Sequence, residues 1–125
     1  MLLVRDSMAK EVVTVGSETT AVEALALCRE KGIRHLPVLE GGRLVGMISD
    51  RDLRSATPAL GDPDRAKSLQ RIRVADEMAK EVVTVRPEDP IEEAAKEMYE
   101  RKIGCLPVVE GDDLVGIVTS SDGMR

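Results

Sequence analysis

Phenylalanine and tryptophan are absent from the 125 residues, and Tyr99 is the only tyrosine. The core must therefore be filled by Val, Leu, Ile, Ala and Met, which the 42% hydrophobic fraction supplies. Asparagine is also missing and Gln70 is the sole glutamine, while 33% of the residues are charged. Few thermolabile amides with abundant charge is a thermophilic trait. No apolar run approaches the roughly 20 residues that span a bilayer. The opening Met1–Asp6 lacks the long apolar core of a secretion signal, so a soluble, cytoplasmic protein with no membrane partner is expected. The net charge of −5 leaves no broad basic face for nucleic acid, although it allows a small basic pocket for one anion. Cys28 and Cys105 form no CxxC pair and have no metal-ligand spacing; they read as small buried hydrophobes. His35 is the only histidine, and no nucleophile–histidine–acid grouping accompanies it. No catalytic residue and no metal site are expected.

Against these absences stands a repetition. Met8–Val15 recurs residue for residue as Met78–Val85, and Val4–Leu53 lies on Val74–Gly123 without a gap, about half the positions agreeing. Two copies are too few for a solenoid, and a unit of about fifty residues is too small for two independent domains. The economical architecture is one domain whose halves complete each other.

Each copy contains the same succession of signals. Val12–Val15 and Val82–Val85 are β-rich runs. A helix follows each. In the second copy Asp89 reads as N-cap with Pro90 at the first helical position; the aligned pair in the first is Thr19-Thr20, which makes Thr19 the expected cap, with a Thr20–Glu23 box as the rival. Ala21, Ala24, Leu25 and Cys28 form one apolar stripe, matched by Ile91, Ala94, Ala95 and Met98. Val22 and Leu27 broaden the first stripe, which suggests an extra contact such as a dimer. Gly32 is a plausible helix stop. Gly41-Gly42 and Gly111-Asp112 each separate two apolar runs and predict hairpins, and short helices should begin near Asp50 and Ser120. Each half is therefore strand, helix, strand, strand, helix, in an α/β (α+β) fold of two pseudo-symmetric motifs. Residues 1–57 and 74–125 hold the motifs. Residues 58–73 form a connector in which Arg65–Arg73 reads as a short charged helix.

The two halves resemble the cystathionine β-synthase (CBS) domain, a motif that occurs in tandem pairs called Bateman modules. Four features carry the likeness: Asp6 and Met8 before the first strand, Gly32–Pro37, the hairpin ending in Gly46, and Ser49-x-x-Asp52. The second half repeats them as Asp76 and Met78, Ile103–Pro107, Gly116, and Thr119-x-x-Asp122. The resemblance implies two intertwined halves, adenosyl-ligand clefts between them and a disc-like homodimer.

It also implies a site. The Asp52 and Asp122 carboxylates would accept from the two ribose hydroxyls, while Ser49 and Thr119 would donate to phosphate near helix starts. Ile33 and Ile103 would approach the adenine, and Thr14 and Thr84 would line the same cleft. Ser-x-x-Asp is also a helix-capping motif, and the two roles can coexist. Arg34, His35 and Arg51 suit the first cleft to a phosphate-bearing ligand. Gly104, Cys105 and Ser121 replace them in the second, and Lys102 stands where the family pattern prefers glycine. The expectation is a regulatory module, not an enzyme, that binds an adenine nucleotide (AMP, ADP or ATP) with no covalently bound cofactor. It would work as a homodimer, with a protein partner still to be identified. Alternatives are a ligand-free interaction module, one that binds S-adenosylmethionine, or a small nucleotide hydrolase.

Overall fold

The repeated Met-Ala pair is a crossing point. Its partner is a glycine on the hairpin of the opposite repeat. In this computed structural model residues 1–57 and 61–120 are described. Chain contacts group Val13–Val82 into a first unit, and Met1–Val12 with Val83–Arg125 into a second. Repeats in sequence and units in space are thus offset, because each repeat gives its leading arm to the other repeat's unit.

The first unit contains β1 (Val15–Gly16), α2 (Ala21–Lys31), β2 (His35–Glu40), β3 (Arg43–Ser49), α3 (Asp50–Ala56), α4 (Arg65–Arg71) and α5 (Val74–Glu77). Its sheet runs β1-β2-β3, β1 parallel to β2 and β2 antiparallel to β3. Gly41 and Gly42 both take positive φ, 58° and 81°, as the tight turn requires. Ala21, Ala24, Cys28, Leu36, Val38, Ile48, Leu53 and Val74 pack into an aliphatic core. The second unit contains α1 (Val4–Ser7), α6 (Ile91–Arg101), β4 (Cys105–Glu110) and β5 (Asp113–Thr119). Val4, Val85, Ala94, Met98, Leu106, Val108 and Val118 make its core. The hairpins, the helix stop at Gly32 (φ 65°) and the connector helix stand where the sequence placed them.

Three local expectations are corrected. The β-rich runs Val12–Val15 and Val82–Val85 form far less strand than their composition suggests: only Val15 and Gly16 pair with β2, and Val85 makes a single parallel bridge to Val108. The preceding alanines, Ala9 and Ala79, instead exchange hydrogen bonds with Ile117 and Met47 of the hairpins. The cap of α2 is Thr20, not Thr19. Thr20 Oγ1 accepts from the Glu23 N–H (3.2 Å) and the Glu23 carboxylate accepts from Thr20, whereas Thr19 Oγ1 accepts from Gly16 N–H in the turn before. Likewise Asp89 caps no helix. Its carboxylate accepts from Arg86 N–H at 2.9 Å, and Pro90 itself is the N-cap of α6.

The broad apolar face of α2 has an internal explanation. Helix α4 lies against α2, and Leu69 and Ile72 join Leu25 and Leu27 around the same core. Val22 stays 39% exposed. Helices α1 and α5 had no sequence signal; four residues are too few to show a period.

Candidate functional site

The hairpin register builds the site of the first unit. His35 and Ser49 face each other across β2 and β3. Gly32 turns the chain out of α2, Ile33 N–H donates to the Cys28 carbonyl (3.0 Å), and Asp50 N–H donates to the Arg34 carbonyl (2.9 Å). The Ile33–His35 loop is thereby tied to the start of α3. There Ser49 Oγ accepts from Asp52 N–H at 3.0 Å and the Asp52 carboxylate accepts from Ser49 N–H at 3.1 Å. This reciprocal box satisfies two backbone donors that a helix end leaves open. It uses one Asp52 oxygen; the other has no hydrogen bond among the described residues.

Burial pushes the His35 imidazole below its usual pKa; Asp50 and Asp52 oppose the shift and Arg34 adds to it. These four charged or titratable groups therefore share one field. Asp50 also pairs with the exposed Arg54 at 3.2 Å, a contact that solvent screens on the arginine side. Burial and then Asp50 raise the Cys28 thiol, against Arg54, and burial alone pushes Cys105 to about 12. Both thiols are free, buried and protonated at neutral pH, which makes them poor nucleophiles. Among the described residues no three His, Cys, Asp or Glu side chains gather as metal ligands.

The structure thus brings Ile33, Arg34, His35, Ser49 and Asp52 together. Arg51 is exposed on the first turn of α3. Thr14 is half-buried beside β1, and no hydrogen bond joins it to the group among the described residues. In the second unit Ser120 N–H donates to the Gly104 carbonyl (2.9 Å), Ile103 N–H to Met98 (3.0 Å), and Thr119 faces Cys105 across the hairpin. Thr84 is exposed. Asp122 and Ser121 lie outside the described residues. One feature escaped sequence reasoning and another was foreseen only in part. The first is Asp50, whose charge reaches both His35 and Cys28; its only signal was an acidic residue in a first helical turn. The other is an open groove of about 620 Å³ lined by Met98, Tyr99, Glu100, Lys102, Ile103, Gly104 and Ser120. Its Lys102, Ile103 and Gly104 belong to the second cleft expected from the sequence, whereas Met98, Tyr99, Glu100 and Ser120 were not foreseen as lining.

A pair of pseudo-symmetric α/β units, the first with a Ser49-capped helix after its hairpin, defines a tandem-motif module. The chain belongs to the CBS domain family, whose model matches residues 4–58 and 73–125. It is 34% identical to the CBS domain-containing protein YhcV of Bacillus subtilis over 98% of this chain and 83% of that one. Among solved structures, it resembles the CBS domain pair of protein MJ0100 in complex with 5′-methylthioadenosine and S-adenosyl-L-methionine. The TM-score is 0.84 at 29% identity, covering 100% of this chain and 94% of that one. It also resembles CBSX2 in complex with AMP, with a TM-score of 0.83 at 31% identity over 100% and 95%. The homoserine O-acetyltransferases, the inosine-5′-monophosphate dehydrogenase and the L-aspartate semialdehyde sulfurtransferase that it resembles match through 22–24% of their own length. Among the described residues no helix is long and apolar enough to cross a membrane.

Proposed function

We propose that this chain is a regulatory ligand-binding module, not an enzyme, that senses an adenine nucleotide (AMP, ADP or ATP) at the site around Asp52. The observation that carries the reading is the likeness, over the whole chain, to a CBS protein bound to AMP. The grouping of Arg34, His35, Ser49 and Asp52 supports it. Arg34 offers a permanent cation for phosphate, and the second Asp52 oxygen can accept from a ribose hydroxyl while the first keeps its cap. Arg51 would add charge at the rim, and Thr14 would line the site. The corresponding site at Ile103, Gly104, Thr119, Thr84 and Asp122 lacks Arg34 and His35 and would bind the nucleotide less well. Ligand binding would alter contact with a second copy or a partner protein. A second reading, an adenosyl ligand without phosphate, is favoured by the likeness to the MJ0100 pair. A third, a ligand-free interaction module, is favoured by the capping box, which needs no ligand.

A thermal-shift panel with AMP, ADP, ATP and S-adenosylmethionine tests this on wild type and Asp52→Asn. The asparagine keeps an acceptor for Ser49 N–H and so preserves the cap, but loses the charge. At about 100 times Kd a ligand stabilises by roughly 2.7 kcal/mol. An adenine nucleotide should raise the melting temperature of wild type, and Asp52→Asn should lose most of the rise. No shift, and no heat in calorimetry, with any adenosyl compound would leave the interaction-module reading.

A further inference from the structure

The N-terminal arm docks by contacts that lie wholly within the second unit. Val4, fully buried, enters that core. Val4 N–H donates to the Asp89 carbonyl (2.8 Å), Arg5 N–H to Pro87 (2.9 Å), and Ile91 N–H to Leu2 (3.0 Å). Ala9 and Ile117 exchange two hydrogen bonds, at 2.9 and 3.0 Å. Gly116 leaves the gap that Met8 fills: a Cβ there would lie 2.6 Å from the Met8 sulfur. The second arm repeats this set on the first unit. Val74 donates to Thr19, Ala75 to Ser17, Ala21 to Ile72, Met47 and Ala79 exchange two bonds, and Met78 sits over Gly46. Each seat therefore reads the same Val-x-Asp-x-Met-Ala pattern, and each is filled by an arm from a distant part of the chain. The two arms differ in tether. The second arm's Ala79 lies 32 residues from its partner Met47, whereas Ala9 lies 108 residues from Ile117, so the N-terminal arm is held near its seat by a much longer stretch of chain.

We infer that the N-terminal arm is an exchangeable element, and that the seat formed by Pro87, Asp89 and Gly116-Ile117 takes the same arm from a second copy of this chain. An incoming arm makes every contact that the chain's own arm makes, so exchange costs little beyond association. That is the condition under which domain-swapped dimers form. The inference is independent of any ligand.

Refolding from denaturant at rising protein concentration, followed by size-exclusion chromatography with light scattering, tests it. The chain would carry Ala9→Cys and Ile117→Cys, with Cys28→Ala and Cys105→Ala removing the native thiols. Hydrogen-bonded antiparallel partners have Cα atoms about 5.5 Å apart, within disulfide reach. A dimer fraction that grows with concentration and carries the new disulfide between chains is expected. Absence of dimer at every concentration, or a dimer whose disulfides are all within chains, overturns the inference. Should the cysteine-free background fail to fold, two single variants with native thiols replace it: Val4→Asp, with a broken arm, and Gly116→Val, with a blocked seat. Co-refolded together they should form a heterodimer in which one second unit melts as in wild type; melting as a simple mixture of the two overturns the exchange.

Discussion

The two units use one frame and fill it differently. Val4 and Val74 are both fully buried, Met8 and Met78 both cover a hairpin glycine, and both hairpins carry a register shift at the same place, Val38/Leu39 and Val108/Val109. The divergence lies at the loop that enters each hairpin. The first unit has Gly32, Arg34 and His35; the second has Lys102, Gly104 and Cys105. The helices before those loops diverge too. One is boxed by Thr20 and Glu23 and packed by α4, while the other starts at Pro90 without a side-chain cap. What is common closes the fold. What differs surrounds the candidate ligand site and gives the first unit cationic and titratable groups that the second lacks.

The strongest way to break the likeness is at the shared glycines. A Cβ at Gly46 would meet the Met78 sulfur at 2.5 Å and the Ala79 carbonyl oxygen at 2.9 Å; at Gly116 the Met8 sulfur and Ala9 oxygen lie at 2.6 and 3.0 Å. The methionine can swing aside, but the backbone oxygen cannot. Gly46→Ala and Gly116→Ala should each cost about 1–3 kcal/mol in a denaturant titration, by overpacking. Equal, negligible losses would mean that the arms yield easily. A smaller effect sharpens the difference between the units. Lys102 is the only non-glycine with positive φ among the described residues, at 56°, where Gly32 has 65°. Left-handed backbone costs a side-chain-bearing residue about 1–2 kcal/mol, so Lys102→Gly should gain about 1 kcal/mol and Gly32→Ala should lose a similar amount.

The smallest expected effect is in pH dependence. The folded pKa of His35 lies below its unfolded value of about 6.5. Just below that value the unfolded chain binds more protons, so stability falls as pH drops through the window and levels off below the folded pKa. His35→Gln should flatten this slope in unfolding midpoints measured between about pH 5 and 8. Cys105, at the equivalent place, stays protonated in the fold and adds slope only at about pH 8, where the unfolded thiol begins to ionise. An unchanged slope would assign the pH response to other groups.

Much of this was legible in the sequence. Hairpins, helix stripes and the Gly32 stop are written in local chemistry: turn glycines, a 3.6-residue period and a residue free to take positive φ. The near-identity of the arms was plain as well, but not their destination. Val4 and Met8 carry no sign that they dock beside Asp89 and Gly116, because docking is a tertiary event without local period. The same gap explains the short β1. Val12–Thr14 has strand propensity, but no strand among the described residues pairs with it. Around the candidate site the Ser49–Asp52 box and the His35 neighbourhood follow from hairpin register. Asp50 was missed because its influence runs through space to two elements that sequence reading treats separately.

The exchange of arms also orders events in time. During synthesis the first unit has all of its parts once Val82 has left the ribosome, whereas the second must wait for β5, near the end of the chain. The Met47–Ala79 contact closes a loop of about 30 residues and the Ala9–Ile117 contact one of about 110, an added closure cost of about 1 kcal/mol. The arm that is made first is therefore the last to find its place. From the completion of the first unit until β5 emerges, it waits undocked beside a finished neighbour.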